Sequence, residues 1–507
     1  LYKEGYFKQR VDEKGLQTET YPRFDPKSKL KQLPDKFILR LRERDVWVET
    51  YEYLHKGEDG QTIPIYFLDT DLDENFDDDR TISLRLYSGN KDHRILQEAI
   101  LGFGGIQLLE ILGYENIQTY HMNEGHCSFL TLALLKKFKG NEDRVRSKCH
   151  FTTHTPVEAG HDHFSVDRCR KLLHGLLPED LKLPSWVQSS RLHMTELGLY
   201  FSRSANGVSK LHGQVAQDQF PGFPMDYVTN GVYHPHWIGE PFKELFDIKI
   251  SGWRTQPGLL SDLNNITDDE LKLAHFYQKN SLLDYANSQT QKSLSKDVLT
   301  IGFARRAAKY KRARLIFSDL DRLLKLGKGK LQIIFAGKAH PKDEIGKSII
   351  NEIVNNANKL MGSVKIIFLE NYNMWLGHLI TSGVDVWLNT PLRPNEASGT
   401  SGMKAALNGI PNLSILDGWW AEGCKHGENG WAIGSADSCN DELDAESLYQ
   451  LLEGEVIPIF YNNSERWMQM MRSSIQNAVR FTAHRMVGEY QQKFYQNQKE
   501  EVLSSRK

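Results

Sequence analysis

Lys404 is the residue whose surroundings most readily suggest chemistry. It lies in NEASGTSGMKAALNG (395–409), next to Met403, Ala405 and Ala406. An amine held among apolar neighbours loses its proton more easily and can form a Schiff base with a carbonyl compound. The carboxylate Glu396 and the small-residue turn Ser398-Gly399-Thr400-Ser401-Gly402 precede it. Small residues let a ligand approach the backbone, and N–H groups at a helix start suit anionic or hydroxyl-rich ligands. Taken alone, the stretch reads first as a Ser- or Thr-capped helix with a surface lysine.

Two further clusters bear on that choice. ARRAAKYKRAR (304–314) offers Arg305, Arg306, Lys309, Lys311 and Arg312 directly after an apolar run. A helix start disfavours cations, so such a cluster calls for an anion such as phosphate; the plain alternative is an exposed basic helix start. HMNEGH (121–126) and THTPVEAGHDH (153–163) gather His121, His126, His154, His161 and His163 with Glu124, Glu158 and Asp162. Neither set has the spacing of a helical zinc motif, so hydrogen bonds to sugar hydroxyls or loop structuring are favoured over a metal. ENYNMW (370–375) and GKAHPKD (337–343) also end strand-like runs, and there Asn371, Tyr372 and Lys338 either face a cleft or serve the fold. No GxSxG, P-loop or strand-borne GxGxxG occurs, which weakens serine-hydrolase, NTPase and dinucleotide readings.

The elements that must position these residues alternate between strand and helix. IQTYHMN (117–123), CHFTTHTP (149–156) and DYVTNGVYHPHW (226–237) are apolar runs that release polar residues at their ends. A second series comprises VLTIGFARR (298–306), LQIIFAGKAH (331–340), VKIIFLENYN (364–373), VDVWLNTP (384–391) and NLSILDG (412–418). Strands apolar on both faces belong to parallel sheets, whose carboxyl ends hold ligands. Residues 1–80 look strand-rich, 90–112 helical with glycine interruptions, and 240–297 helical and polar. The expectation is an α/β protein with two doubly wound, Rossmann-like domains facing a cleft. Residues 1–297 form the first domain with a helical connector, 298–480 the second, and 481–507 a helical tail.

With 507 residues the chain suits two or three domains. Lys+Arg 63 against Asp+Glu 65 leaves a net charge of -2, which argues for neither nucleic acid nor a membrane surface. No apolar run reaches membrane-span length. The 5 cysteines are odd in number and fit no metal knuckle, so a reducing, cytoplasmic compartment is expected.

In combination these stretches resemble the α-glucan (glycogen, starch and maltodextrin) phosphorylases, most closely their short bacterial and archaeal branch. The resemblance rests on YHMNEGH, TTHTPVEAG, NGVSKLHG (206–213), VTNGV (228–232), GFARRAAKYKRA, KIIFLENYN, NEASGTSGMKAALNG and LDGWWAEG (416–423), and it spans essentially the whole chain. It implies the GT-B glycosyltransferase fold and pyridoxal 5'-phosphate used through its phosphate group. It implies that Lys404 carries the cofactor, with Tyr372 near the cofactor phosphate. Arg306 and Lys311 would hold the substrate phosphate, and Glu396 and Ser398 the terminal glucose hydroxyls. His154 would lie near the 6-hydroxyl, and Glu124 stands where longer members carry an aspartate. The implied reaction is retaining phosphorolysis of an α-glucan or maltodextrin by inorganic phosphate, giving α-D-glucose 1-phosphate, in an enzyme that is often a homo-oligomer. Nothing matches the regulatory elements of the longer enzymes, so control by phosphorylation or nucleotides is not expected. Family members carry a strand and a glycine-rich loop ahead of the position matching Leu1, and a longer protein or another chain is expected to provide them. Two alternatives remain at this stage. A nucleotide-sugar glucosyltransferase like glycogen synthase would carry a glutamate where Lys404 stands, and an impaired glucan-binding protein would bind without turnover.

Overall fold

The computed structural model describes residues 1–86, 88–178, 183, 189–436 and 439–496. An antiparallel hairpin comes first, β1 (Lys8–Val11) and β2 (Gln17–Thr20). A four-stranded antiparallel sheet follows: β3 (Lys31–Gln32), β4 (Phe37–Leu41), β5 (Arg44–Lys56) and β6 (Thr62–Asp69). In β4, Phe37, Leu39 and Leu41 are buried while the residues between them are exposed, as a strand with one covered face requires.

Next come β7 (Tyr120–Asn123) and β8 (Cys149–Thr152), a short antiparallel pair β9 (His163–Ser165) and β10 (Arg191–His193), then β11 (Ser204–Gly207) and β12 (Met225–Tyr227). β7, β8, β11 and β12 make a parallel sheet in the order β12-β11-β8-β7. The last sheet has six parallel strands: β13 (Leu299–Ala304), β14 (Leu331–Ala336), β15 (Lys365–Leu369), β16 (Val386–Asn389), β17 (Asn412–Ile415) and β18 (Gly430–Ile433). Their order, β15-β14-β13-β16-β17-β18, is that of a doubly wound sheet. Every residue of β13 and β14 is buried, because helices cover both faces. The strands expected at the starts of both series are present, and β11 and β18 are additional.

The glycines at 102–105 do not break the helical stretch. A helix Lys91–Ala99 passes through a π-turn, Ile100–Gly104, into a helix Gly105–Ile111. A side chain on Gly102 would lie 2.6 Å from the backbone nitrogen of Leu130, so glycine permits close helix packing there. The polar region before β13 contains a long helix, Asp268–Thr290, opened by a capping box between Thr267 and Glu270. Among the described residues no helix is long and apolar enough to cross a membrane.

Two segments cross the molecule. The β1–β2 hairpin docks on the six-stranded sheet: Gln9 Nε2 donates to the Gly337 carbonyl at 2.9 Å, Gln17 Nε2 to the Ala339 carbonyl at 2.9 Å, and the Asn371 N–H to Gln9 Oε1 at 2.8 Å. The opposite terminus returns to the first parallel sheet. After the helix Ala483–Tyr490, Tyr490 accepts a hydrogen bond from Asn206 Nδ2 at 3.0 Å, Tyr495 bonds to His121, and Arg203 donates to the Phe494 carbonyl at 2.6 Å. The rest of the expected tail, 497–507, lies outside the described residues.

Candidate active site

In a doubly wound sheet, ligands gather where the strand order reverses, here between β13 and β16. β13 delivers Arg305, β15 delivers Tyr372, and β16 delivers the turn that carries Glu396 and Ser398 into a short helix, Thr400–Ala406, bearing Lys404. The first parallel sheet contributes His154 after β8 and Val208 after β11. With Lys311 these residues line one cavity of about 350 Å³.

Glu396 is its electrostatic centre. Its carboxylate is buried and accepts from Lys311 Nζ at 2.8 and 2.6 Å and from the Arg305 guanidinium. Burial works to raise the Glu396 pKa, but the two cations outweigh it and hold the group below the usual carboxylate range. Burial, helped by the Arg305 charge, pushes Lys311 well below the ordinary lysine range. The Glu396 N–H donates to Asp417 Oδ2 at 2.9 Å, and the Gly418 N–H to Asp417 Oδ1 at 2.9 Å. Burial, reinforced by the Glu396 charge, still pushes the Asp417 carboxyl up to about 7. Arg305 also donates to Asn389, and its carbonyl oxygen would lie 2.0 Å from a side chain on Gly337, so only glycine fits there.

The Lys404 amine lies 3.6 Å from the centroid of the Trp237 ring, and burial pushes it down to about 8. Burial raises the Tyr372 phenol to about 12, so it keeps its proton. Ser398 Oγ is buried in the cavity lining and has no hydrogen-bond partner among the described residues. A buried hydroxyl without a partner is costly and marks a place for a ligand's polar atom.

On the other wall, the His154 N–H donates to Glu124 Oε2 at 2.7 Å, and Thr155 Oγ1 donates to the same oxygen at 2.9 Å. Glu124 has φ +80, an uncommon conformation for a side-chain-bearing residue, held by these bonds and by its own N–H to the Thr152 carbonyl at 2.9 Å. Burial lowers the His154 pKa against the opposing pull of Glu124, so its ring is neutral near pH 7.

Of the residues singled out from sequence, Lys404, Lys311, His154, Tyr372, Glu396 and Ser398 meet in this cavity. Glu124 stands one layer behind, holding the His154 backbone. Arg306 is exposed and is not part of the lining, and its neighbour Arg305 occupies the cavity instead. Trp237 and Asp417 were not singled out, although each lies within a quoted motif. Their importance comes from contacts across the fold that no local pattern encodes.

Comparison with known proteins bears on the family of the chain. A family model for carbohydrate phosphorylases matches residues 163–429. The chain is 40% identical over 98% of its length to a maltodextrin phosphorylase of Thermococcus litoralis, covering 65% of that protein. It is 37% identical over 98% of its length to a glycogen phosphorylase of Aquifex aeolicus, covering 79% of it. It is 35% identical over 97% to a glycogen phosphorylase of Mycobacterium tuberculosis, covering 65%. The chain thus spans just under two thirds of the first and third of these relatives. Since the family model covers more than half of the chain and the relatives align along nearly all of it, the chain belongs to the glycogen and maltodextrin phosphorylase family.

Proposed function

We propose that the protein catalyses pyridoxal 5'-phosphate-dependent phosphorolysis of α-1,4-glucans, releasing the non-reducing terminal glucose as α-D-glucose 1-phosphate with retained configuration. The observation that carries this reading is the meeting, in one cavity, of an easily deprotonated amine, Lys404, with a cation pair, Arg305 and Lys311, and an unpartnered hydroxyl, Ser398. The relatives' names, maltodextrin and glycogen phosphorylase, support it.

The residues present fit the cofactor. Lys404 would anchor it covalently, since burial makes its amine available near pH 8, and Tyr372 would border it with a neutral phenol. When bound, the cofactor supplies a phosphate group that exchanges a proton with the substrate phosphate. Lys311 and Arg305 offset the repulsion between two phosphates held in one cavity. Glu396 and Ser398 accept and donate hydrogen bonds to the terminal glucose, and neutral His154 does so at its 6-hydroxyl, with Glu124 fixing the His154 backbone. Arg305 and Lys311 orient the phosphate so that its proton passes to the leaving glycosidic oxygen while its oxygens face the oxocarbenium-like centre. The two parallel sheets would then be the halves of a GT-B fold, 1–297 and 298–480, with the described part of the tail, 481–496, crossing back, and a homo-oligomer is part of the same reading. Glucan and inorganic phosphate are the substrates.

The test is incubation of the cofactor-loaded protein with maltoheptaose and inorganic phosphate. Glucose 1-phosphate should form only when both are present. Glucosyl transfer from a sugar nucleotide without any phosphorolysis would overturn the reading in favour of a synthase-type transferase. Glucan binding without either reaction would leave only a binding protein.

Arg306 belongs to the proposed phosphate set through the family resemblance, and it would have to swing inward to take part. Arg306→Ala is therefore expected to raise the KM for phosphate by about tenfold, the loss of roughly one charge-assisted hydrogen bond, with an unchanged melting temperature. A KM that does not move removes Arg306 from the set and leaves the task to Arg305 and Lys311.

A further inference from the structure

Glu158, His163 and His193 bring three metal-ligating side chains together close to the His154 loop. Glu158 opens the short turn Glu158–Gly160, and His163 and His193 stand directly opposite one another in the β9–β10 pair. Directly opposed residues of an antiparallel pair present their side chains on the same face. The two imidazole rings accordingly lie 4.1 Å apart between centroids, at 63°. His163 Nε2 is 3.3 Å from Glu158 Oε1, and one ligand atom from each of the three residues lies within 4.8 Å of the others.

Two imidazole nitrogens and one carboxylate oxygen are a donor set that binds zinc-class ions and leaves a coordination position open. Bonds of about 2.0–2.2 Å draw such atoms to within on the order of 3.5 Å of one another. Glu158 and His163 are already 3.3 Å apart, so the remaining closure of about 1 Å is toward His193, and rotation of the exposed Glu158 side chain supplies part of it. A cavity lined by Lys91, Asp162 and Arg191 as well as by Glu158 and His163 adjoins the cluster and leaves room for a fourth ligand. A hydrogen bond from His163 to Glu158 would account for those two residues but not for the third member, His193. The His193 ring packs against Phe220 and His161, and among the described residues its hydrogen bonding is a long 3.4 Å contact received from the Glu196 N–H at Nδ1. Coordination through Nε2 would move the ring proton to Nδ1 and give up that contact.

We propose that Glu158, His163 and His193 bind one divalent transition-metal ion of the zinc class, tying the turn that follows His154 to the β9–β10 pair. The inference stands independently of the proposed reaction.

The test uses untagged full-length chain, stripped with a chelator and titrated with Co²⁺ and then Zn²⁺. One equivalent of Co²⁺ should bind with visible ligand-field bands typical of nitrogen and oxygen donors, and Zn²⁺ should displace it. Glu158→Gln and His163→Gln change side chains that are exposed or half-buried, so their folding is secure, and each should weaken binding at least about tenfold. Zn²⁺ should also slow amide exchange over residues 153–160 in the parent protein and not in Glu158→Gln. Failure to bind a stoichiometric ion, a thiolate-to-cobalt charge-transfer band, or affinity unchanged in both variants would overturn the site. Exchange over 153–160 that ignores Zn²⁺ would overturn the bracing role.

Discussion

Lys404→Ala is expected to remove the cofactor absorbance completely and to cut phosphorolysis by at least about a thousandfold, because it deletes the covalent anchor and with it the second phosphate. The variant should still fold, since Lys404 is half-buried and its amine lies over the Trp237 ring at the edge of the cavity. A second readout does not depend on activity. Burial lowers the folded-state pKa of Lys404 to about 8, below that of an unfolded lysine. Below pH 8 both states are protonated, and burial of the charge weighs against the fold. Between about 8 and about 10.4 the unfolded chain holds a proton that the folded apoprotein has shed, so stability rises with pH across that window. Unfolding measured from pH 7 to 10 should show this rise in the parent apoprotein and a flatter dependence in Lys404→Ala. Retention of the absorbance in Lys404→Ala would remove the residue from its proposed role. Equal pH slopes would show that the amine is not desolvated in the free protein.

The second large effect concerns stability. Asp385 precedes β16 at the end of the sheet opposite the cavity. It is 3% exposed, and its carboxylate accepts from Lys279 Nζ at 2.5 Å, His275 Nε2 at 2.9 Å and the Thr300 N–H at 2.7 Å. It joins the long helix Asp268–Thr290 to the two central strands. Burial alone would raise its pKa, but Lys279 and His275 prevail and the group sits below the ordinary aspartate value. Asp385→Ala leaves Lys279, itself 4% exposed, as an uncompensated buried charge, and should cost about 3–5 kcal/mol. Adding Lys279→Met should restore much of the loss, because the desolvation penalty disappears with the charge. The folded fraction of either variant should turn over normally. A depressed carboxylate contributes stability above its unfolded pKa, and that contribution is lost as pH falls through the lower folded value. Denaturant unfolding at neutral and acidic pH checks both points, and a single-variant loss below about 1 kcal/mol would contradict the buried-pair account.

What could be read in the sequence follows from what each element must satisfy. β13, β14 and β15 stood out because strands covered on both faces have to be continuous apolar runs. β11, Ser-Ala-Asn-Gly, is just as central to its sheet but gave no such signal. Its Asn206 bonds to His150, Thr152 and Tyr490, so its polar residues are buried by design rather than by hydrophobicity. At the site, Lys404 and Glu396 stood out through the family resemblance, because their stretch taken alone reads first as a capped helix with a surface lysine. Arg305 and Arg306 were not separable, since a strand buried on both faces leaves no periodic clue to which of the next two side chains turns inward. The docking of the β1–β2 hairpin was illegible too: Gln9 and Gln17 look like surface residues until Gly337 and Ala339 come to meet them.

That hairpin has a consequence for synthesis. Gln9 meets Asn371 across 362 positions of chain. At about 5–20 residues per second, a ribosome needs on the order of 20–70 s between making one and making the other. For that interval the buried amides of Gln9 and Gln17 have only water as partners, so the hairpin settles long after it is made. The returning terminus has the reverse timing, since its targets around His121 and Asn206 are already in place when Tyr490 and Tyr495 emerge. The hairpin and the returning helix therefore both settle in the same late stage of translation.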